Sequence, residues 1–232
     1  MKFGTLSQKY VATDARPYDE PSEYEALRMG KKWTAENDAA RDLLSFIPQG
    51  ARALDVPVGT GRLIPLLAER RLDAHGLDIS ADMLEQSRRK AAEVGANMWL
   101  GQGDIRDIPF PDDHFQLVSC LRFLNWIDED CVEEAMAEVA RVASDKLLIG
   151  VRYYAPYGEI SPFSFGRRAM RLVNVPDKLA KRWGGLVYHH KDFLDRLFAR
   201  LSLAVVETRH VERRWDGTDY VFYLLRKESR AH

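Results

Sequence analysis

From Ala51 to Val151 the hydrophobic pattern switches repeatedly between a strand period and a helix period, and this alternation restricts the fold more than any other feature. Ala51–Val56 reads as a short apolar strand, Leu63–Arg71 as a helix and Asp73–Asp78 as a second strand. Ser80 caps a helix that runs to about Val94; Met98–Leu100 and Phe115–Cys120 follow as strands. Glu129–Val142 is helical, with Val132, Met136, Val139 and Ala140 on one face, and Leu147–Val151 is a fifth strand. Strands separated by helices pair in parallel through right-handed crossovers, with helices on both faces of the sheet. Further on, His190–Leu201 is helical, and Leu203–Val211 and Tyr220–Arg226 alternate like strands around the turn Asp216-Gly217. The expected fold is therefore α/β: a doubly wound, seven-stranded, mostly parallel sheet with a C-terminal antiparallel hairpin on one edge.

A chain of 232 residues, 46% hydrophobic, holds one sizeable core. We expect a single domain over 1–232: an N-terminal arm and cover helix (1–49), a ligand-binding core (50–152), an insert (153–187), and a C-terminal helix and hairpin (188–232). Ser22 and Glu25 have capping-box spacing, and Pro48-Gln49-Gly50 ends the cover helix. Lys+Arg number 34 against 35 Asp+Glu, so charge gives no reason to expect nucleic acid or an anionic membrane as partner. Cys120 and Cys131 form no metal-ligand spacing, and no metal is expected. There is no apolar run long enough for membrane insertion and no signal-peptide core at the N-terminus, which points to the cytoplasm.

In such sheets ligands bind beyond the carboxyl ends of the strands. Here the first strand runs into A-L-D-V-P-V-G-T-G-R-L, residues 53–63. A glycine loop between strand and helix lets a ligand approach the backbone closely. A dinucleotide loop needs G-x-G-x-x-G; Gly59 and Gly61 are present, but the third glycine is absent. Asp55 would also repel a pyrophosphate. The same acid suits a cofactor without phosphate. S-adenosylmethionine carries a sulfonium, an ammonium group and a ribose with two hydroxyls. Asp55 is placed for the ammonium, Asp78 at the end of the second strand for the ribose hydroxyls, and Asp104 after the third for the adenine amine.

With these motifs in order, the sequence resembles the class I S-adenosylmethionine-dependent methyltransferases. L-D-V-P-V-G-T-G-R is similar to the family's D-x-G-x-G-x-G, with Pro57 at the first glycine position. G-L-D-I-S-A-D-M-L is similar to the second motif, and G-D-I-R-D-I-P-F-P to the adenine segment. The resemblance covers about residues 50–152. It implies a Rossmann-like methyltransferase fold, S-adenosylmethionine as cofactor and S-adenosylhomocysteine as product. It implies Asp55, Gly59, Gly61, Asp78, Ile79, Met83, Asp104, Ile105 and Leu121 as cofactor-binding residues, with Tyr24 and Arg28, and Trp33 beside them, closing over the methionine end. Proline fixes φ near −65° and lacks an N–H, so Pro57 is read as a stiffened variant of the loop.

Methyl transfer is a displacement at an already activated carbon, so no universal catalytic motif is expected and none is visible. The acceptor side is assigned to Arg122, Asn125 and Trp126 after the fourth strand, to Tyr153 and Tyr154 after the fifth, and to His189. Residues 153–187 hold six Lys or Arg against two acids, which suits a small acceptor bearing carboxylate or phosphate, methylated on O or N. Two other readings stay open at this point: a non-catalytic binding protein on the same fold, and a nicotinamide-dependent oxidoreductase.

Overall fold

The computed structural model describes residues 31–154, 182–183, 186–213 and 218–228. Tyr24, Arg28, the Ser22–Glu25 pair, the Asp216-Gly217 turn and most of the basic 153–187 stretch lie outside the described residues.

The elements are α1 (Lys31–Leu44), β1 (Arg52–Asp55), α2 (Ile64–Glu69), β2 (Asp73–Asp78), α3 (Ala81–Glu93), β3 (Trp99–Gln102) and β4 (Phe115–Cys120). A 3-10 turn (Leu124–Trp126) then leads to α4 (Glu129–Val142), β5 (Ala143–Tyr154), β6 (Arg182–Trp183), β7 (Leu186–Val187), β8 (His189–His190), α5 (Lys191–Arg200), β9 (Leu203–Arg213) and β10 (Thr218–Lys227). The sheet order is β3-β2-β1-β4-β5-β10-β9. The first five of these strands are parallel, and β10 runs antiparallel between β5 and β9. This is the expected seven-strand arrangement, with the short β8 added parallel to the far end of β5.

Side chains alternate across a strand, and the core follows that rule. Leu54, Val118, Leu147, Ile149 and Val221 pack with Val132, Met136 and Val139 of α4 and Phe193 and Leu197 of α5. Their neighbours Ala53, Leu117, Leu148 and Phe222 pack on the opposite face with Leu43 and Leu44 of α1 and Leu66 and Leu67 of α2. Strands that are apolar on both faces need helices on both, which is why the sheet is doubly wound.

Among the described residues, Ser80 and Asp128 cap helices with their side chains: Ser80 Oγ accepts from the Met83 N–H at 3.3 Å, and Asp128 Oδ1 from the Cys131 N–H at 3.3 Å. Each satisfies an N–H that would otherwise lack a helical partner.

The main departure from expectation is β5, which spans 143–154 rather than 147–151. Ala143–Lys146, outside the strand expected from sequence, already belong to it. Ala143 ends α4 in an extended conformation (φ −81°, ψ 133°) and pairs at once with Phe115. A register shift before the Leu117–Lys146 pair absorbs the extra residue. At the other end, β10 and β8 supply partners for Tyr153 and Tyr154.

Candidate functional site

The carboxyl ends of the parallel strands open into a shallow cleft. Its wall takes Val56 and Pro57 from beyond β1, Asp78 from the end of β2 and Ile79 just after it, Gly103, Asp104 and Ile105 from beyond β3, and Phe123 from beyond β4. Four residues expected from sequence thus meet there: Asp78, Ile79, Asp104 and Ile105.

The glycine loop is folded around a carboxylate. Asp78 is 6% exposed; its Oδ2 accepts from the Gly59 N–H at 2.8 Å and its Oδ1 from the Ser80 N–H at 2.9 Å. The Val58 N–H donates to Leu77 O, and the Gly61 N–H to Val58 O. Pro57 has no N–H, and its peptide bond to Val56 is cis. So among residues 57–61 the N–H groups of Val58, Gly59 and Gly61 are taken by hydrogen bonds within the protein, and a fourth does not exist. A pyrophosphate site needs those donors directed outward. This is the physical reason the loop does not fit a nicotinamide dinucleotide.

Gly59 and Gly61 have φ of +56° and +81°, in the region that favours glycine. A Cβ at Gly61 would lie 2.6 Å from Ile64 Cδ1 and 3.1 Å from Ser87 Cα, whereas one at Gly59 would meet nothing within 4 Å. Gly61→Ala is therefore expected to cost about 1–2 kcal/mol for the left-handed backbone plus the clash. That lowers the Tm by roughly 3–8 °C in a thermal melt. Gly59→Ala carries only the backbone cost and should melt closer to the parent.

Asp55 lies deeper, at 3% exposed, and accepts a hydrogen bond from Ser119 Oγ at 2.7 Å. Burial pushes its carboxyl up to about 7; the Ser119 bond opposes the shift and the Asp78 charge adds to it. Burial also raises Asp78, against the N–H groups of Ser80, Gly59 and Ile79. Two buried carboxyls at neighbouring strand ends form an anionic site that a cation relieves.

Asp104 is paired with its neighbour: Arg106 Nη2 lies 2.7 Å from Oδ2, and the Arg106 N–H donates to Oδ1 at 2.9 Å. Met83, partly buried on α3, and Leu121, which packs on the core face of α1 and α2, are not part of the cleft wall. Of the acceptor-side residues, Asn125 is buried and holds three backbone groups: its Nδ2 donates to Arg152 O and Val187 O, and its Oδ1 accepts from the Arg152 N–H. His189 is fully buried and donates from Nε2 to Leu124 O at 2.8 Å, because a carbonyl can only accept. Tyr153 is buried and stacks on Tyr223 (6.4 Å), and Tyr154 meets His190 edge-on (6.1 Å). Trp126 sits half-buried at the end of the 3-10 turn.

Sequence reading named Trp33 for the methionine end and Arg122 for the acceptor side, but missed Glu36, Asn37 and Arg62 and the cluster that joins all five on the β1–β4 side. Glu36 of α1, 2% exposed, receives Arg62, the residue after Gly61, and Arg122, two residues past β4, at 3.4 Å. Arg62 also donates to Asn37 Oδ1 and stacks over the Trp33 ring at 4.1 Å. The available signal was slight: Trp33, Glu36 and Asn37 share a helix face by their spacing, and an arginine follows the loop directly.

Residues 53–146 match the model of a methyltransferase domain family. A phosphatidylethanolamine N-methyltransferase of Cereibacter sphaeroides is 30% identical over 176 residues, 75% of this chain and 80% of that protein. A demethylmenaquinone methyltransferase of Deinococcus radiodurans is 31% identical over 60% of this chain and 56% of its own length. The magnesium protoporphyrin IX methyltransferase of Synechocystis, solved with bound S-adenosylhomocysteine and with S-adenosylmethionine, shares the fold. In its S-adenosylhomocysteine complex the TM-score is 0.63 at 16% identity, over 96% of this chain and 95% of that one. No described helix is long and apolar enough to cross a membrane. At this identity and coverage the chain belongs to the class I S-adenosylmethionine-dependent methyltransferases, and S-adenosylmethionine is its cofactor.

Proposed function

We propose that the chain methylates the nitrogen of an amine, or less directly a hydroxyl oxygen, on a small acceptor that also carries a phosphate or carboxylate. The observation that carries the cofactor side of this reading is the pair of buried carboxyls, Asp55 and Asp78, beside a loop whose Val58, Gly59 and Gly61 N–H groups are bonded within the protein. In this reading Asp78 accepts from the ribose hydroxyls while its N–H bonds hold Gly59 in place. Asp55 faces the cofactor's ammonium, Ile79 and Ile105 flank the adenine, and Asp104 takes the adenine amine. The cofactor supplies a sulfonium-activated methyl carbon. The protein's part is to align the acceptor with it and exclude water, and Phe123 and Pro57 provide apolar wall for that.

Nitrogen is favoured because a relative that is 30% identical, over 80% of its own length, is named a phosphatidylethanolamine N-methyltransferase. That acceptor has a primary amine beside a phosphodiester. A neutral amine needs no general base in the transition state, which agrees with His189 and Asn125 being engaged with backbone groups.

The test is transfer of labelled methyl from S-adenosylmethionine to ethanolamine phosphate, to phosphatidylethanolamine vesicles, to an uncharged primary amine and to a phenol. The expected result is N-methyl product from the phosphate-bearing amines, at least tenfold over the uncharged one. Product from the phenol alone would move the assignment to oxygen.

A further inference from the structure

The five parallel strands lie in the order β3-β2-β1-β4-β5 with their carboxyl ends on one edge of the sheet. A ligand with its base at Asp104, beyond β3, and its ribose at Asp78, on β2, must carry its remaining arm across β1 toward β4. There the loops beyond β1 and β4 each contribute an arginine, and both arginines converge on Glu36 of α1. Glu36 is separated from them by 26 and 86 residues. A carboxylate buried to 2% exposure with two guanidiniums is a poor device for stability, since desolvation offsets most of the attraction. Its geometric content is high: one side chain fixes the helix that precedes β1, the residue that closes the glycine loop, and the residue that leaves β4. Arg122 moreover holds φ at +62°, a conformation unfavourable for an arginine unless its surroundings impose it.

We propose that Glu36 is a positioning residue for the amino-acid half of the cofactor: through Arg62 and Arg122 it sets the affinity for the homocysteine arm and leaves the nucleoside half untouched. The inference rests on the proposed placement of adenine and ribose at Asp104 and Asp78. The arm carries a carboxylate, and guanidiniums held in a fixed orientation are suited to recognise one. Glu36 keeps them in that orientation, and Asn37 and the Trp33 ring restrain Arg62 further.

The experiment is calorimetric titration of the full chain with S-adenosylhomocysteine and with 5′-methylthioadenosine, which has the same nucleoside and no amino-acid arm. Glu36→Gln is expected to weaken S-adenosylhomocysteine about tenfold or more and to leave 5′-methylthioadenosine within about twofold. A residue that served only structure would change both ligands together, or neither, and either result overturns the proposal. Should Glu36→Gln fail to fold, Arg122→Ala, at a partly exposed loop residue, is read for the same split. If the parent chain binds neither ligand, the cofactor placement itself falls and the role of Glu36 with it. Binding of 5′-methylthioadenosine with an unchanged split in the variants removes the Glu36 role alone.

Discussion

Asp78→Ala is expected to abolish cofactor binding at any concentration useful for calorimetry, a loss of at least two orders of magnitude. The carboxylate stands at the end of β2 with its oxygens oriented by the N–H groups of Gly59 and Ser80, at 2.8 and 2.9 Å. Each oxygen has a second lone pair for a ribose hydroxyl. A hydrogen bond to a charged group contributes about 1.5–3 kcal/mol, so losing a bidentate pair costs roughly 3–6 kcal/mol. At about 1.4 kcal/mol per decade the affinity falls more than a hundredfold. The substitution also releases the Gly59 N–H, so the loop loses the contact that shapes it. Asp78→Asn separates the two effects: it keeps an oxygen for the loop and removes the charge, and should fall between the parent and Asp78→Ala. Circular dichroism on the same samples checks that the sheet survives. Retention of parental affinity by Asp78→Ala would place the ribose elsewhere. Removing this charge also removes one source of the shift on Asp55, so the apparent pKa of Asp55 should drop in the variant.

What could be read from the residue order was whatever depends on local period and on strand ends. The alternation in β1, β4 and β5 gave both faces of the core, and Asp55 and Asp78 could be located as strand-terminal acids because each follows an apolar run directly. The full length of β5 was not legible. Its outer residues are mixed in polarity and become strand because β4, β8 and β10 pair with them; that context is tertiary. The partners of charged side chains were equally hidden. Asp104 looks like an open acceptor in sequence, but Arg106, two residues on, folds back onto it. Glu36 and Arg122 lie 86 residues apart and meet only once α1 packs over the loops. Pro57 is the intermediate case. Its lack of an N–H and its fixed φ were predictable, whereas the partners taken by its neighbours' N–H groups came only with the fold.

The second large effect is a pH dependence that Asp55 imposes on both folding and cofactor binding. Its carboxyl titrates at about 7 in the folded chain against 3.8 for the ordinary group, because it is buried beside Asp78. Below pH 4 the group is protonated in both states and costs nothing. Between about 4 and 7 the native state binds the extra proton, so stability declines as pH rises, by up to about 1.4 kcal/mol per unit and roughly 4 kcal/mol in all. Above 7 the penalty is complete. Asp55→Asn keeps an oxygen for the Ser119 hydroxyl and removes the ionisation. It should therefore raise the Tm at pH 8 and have little effect near pH 4. With Asp55 facing the ammonium as proposed, the cofactor reverses the balance, since an ammonium against the carboxylate favours its charged form. Binding below pH 7 must then expel a proton, and affinity should rise toward tenfold per pH unit from 5.5 to 6.5. It levels near 7 and falls again once the ammonium itself, with a pKa of about 7.7–8.0, loses its charge. Titration at pH 6 in two buffers of different ionisation enthalpy measures the proton directly. About one proton released by the parent and none by Asp55→Asn would tie the slope to this carboxyl. Release of a full proton by both would assign it to another group, and Asp55 would then have no part in holding the ammonium.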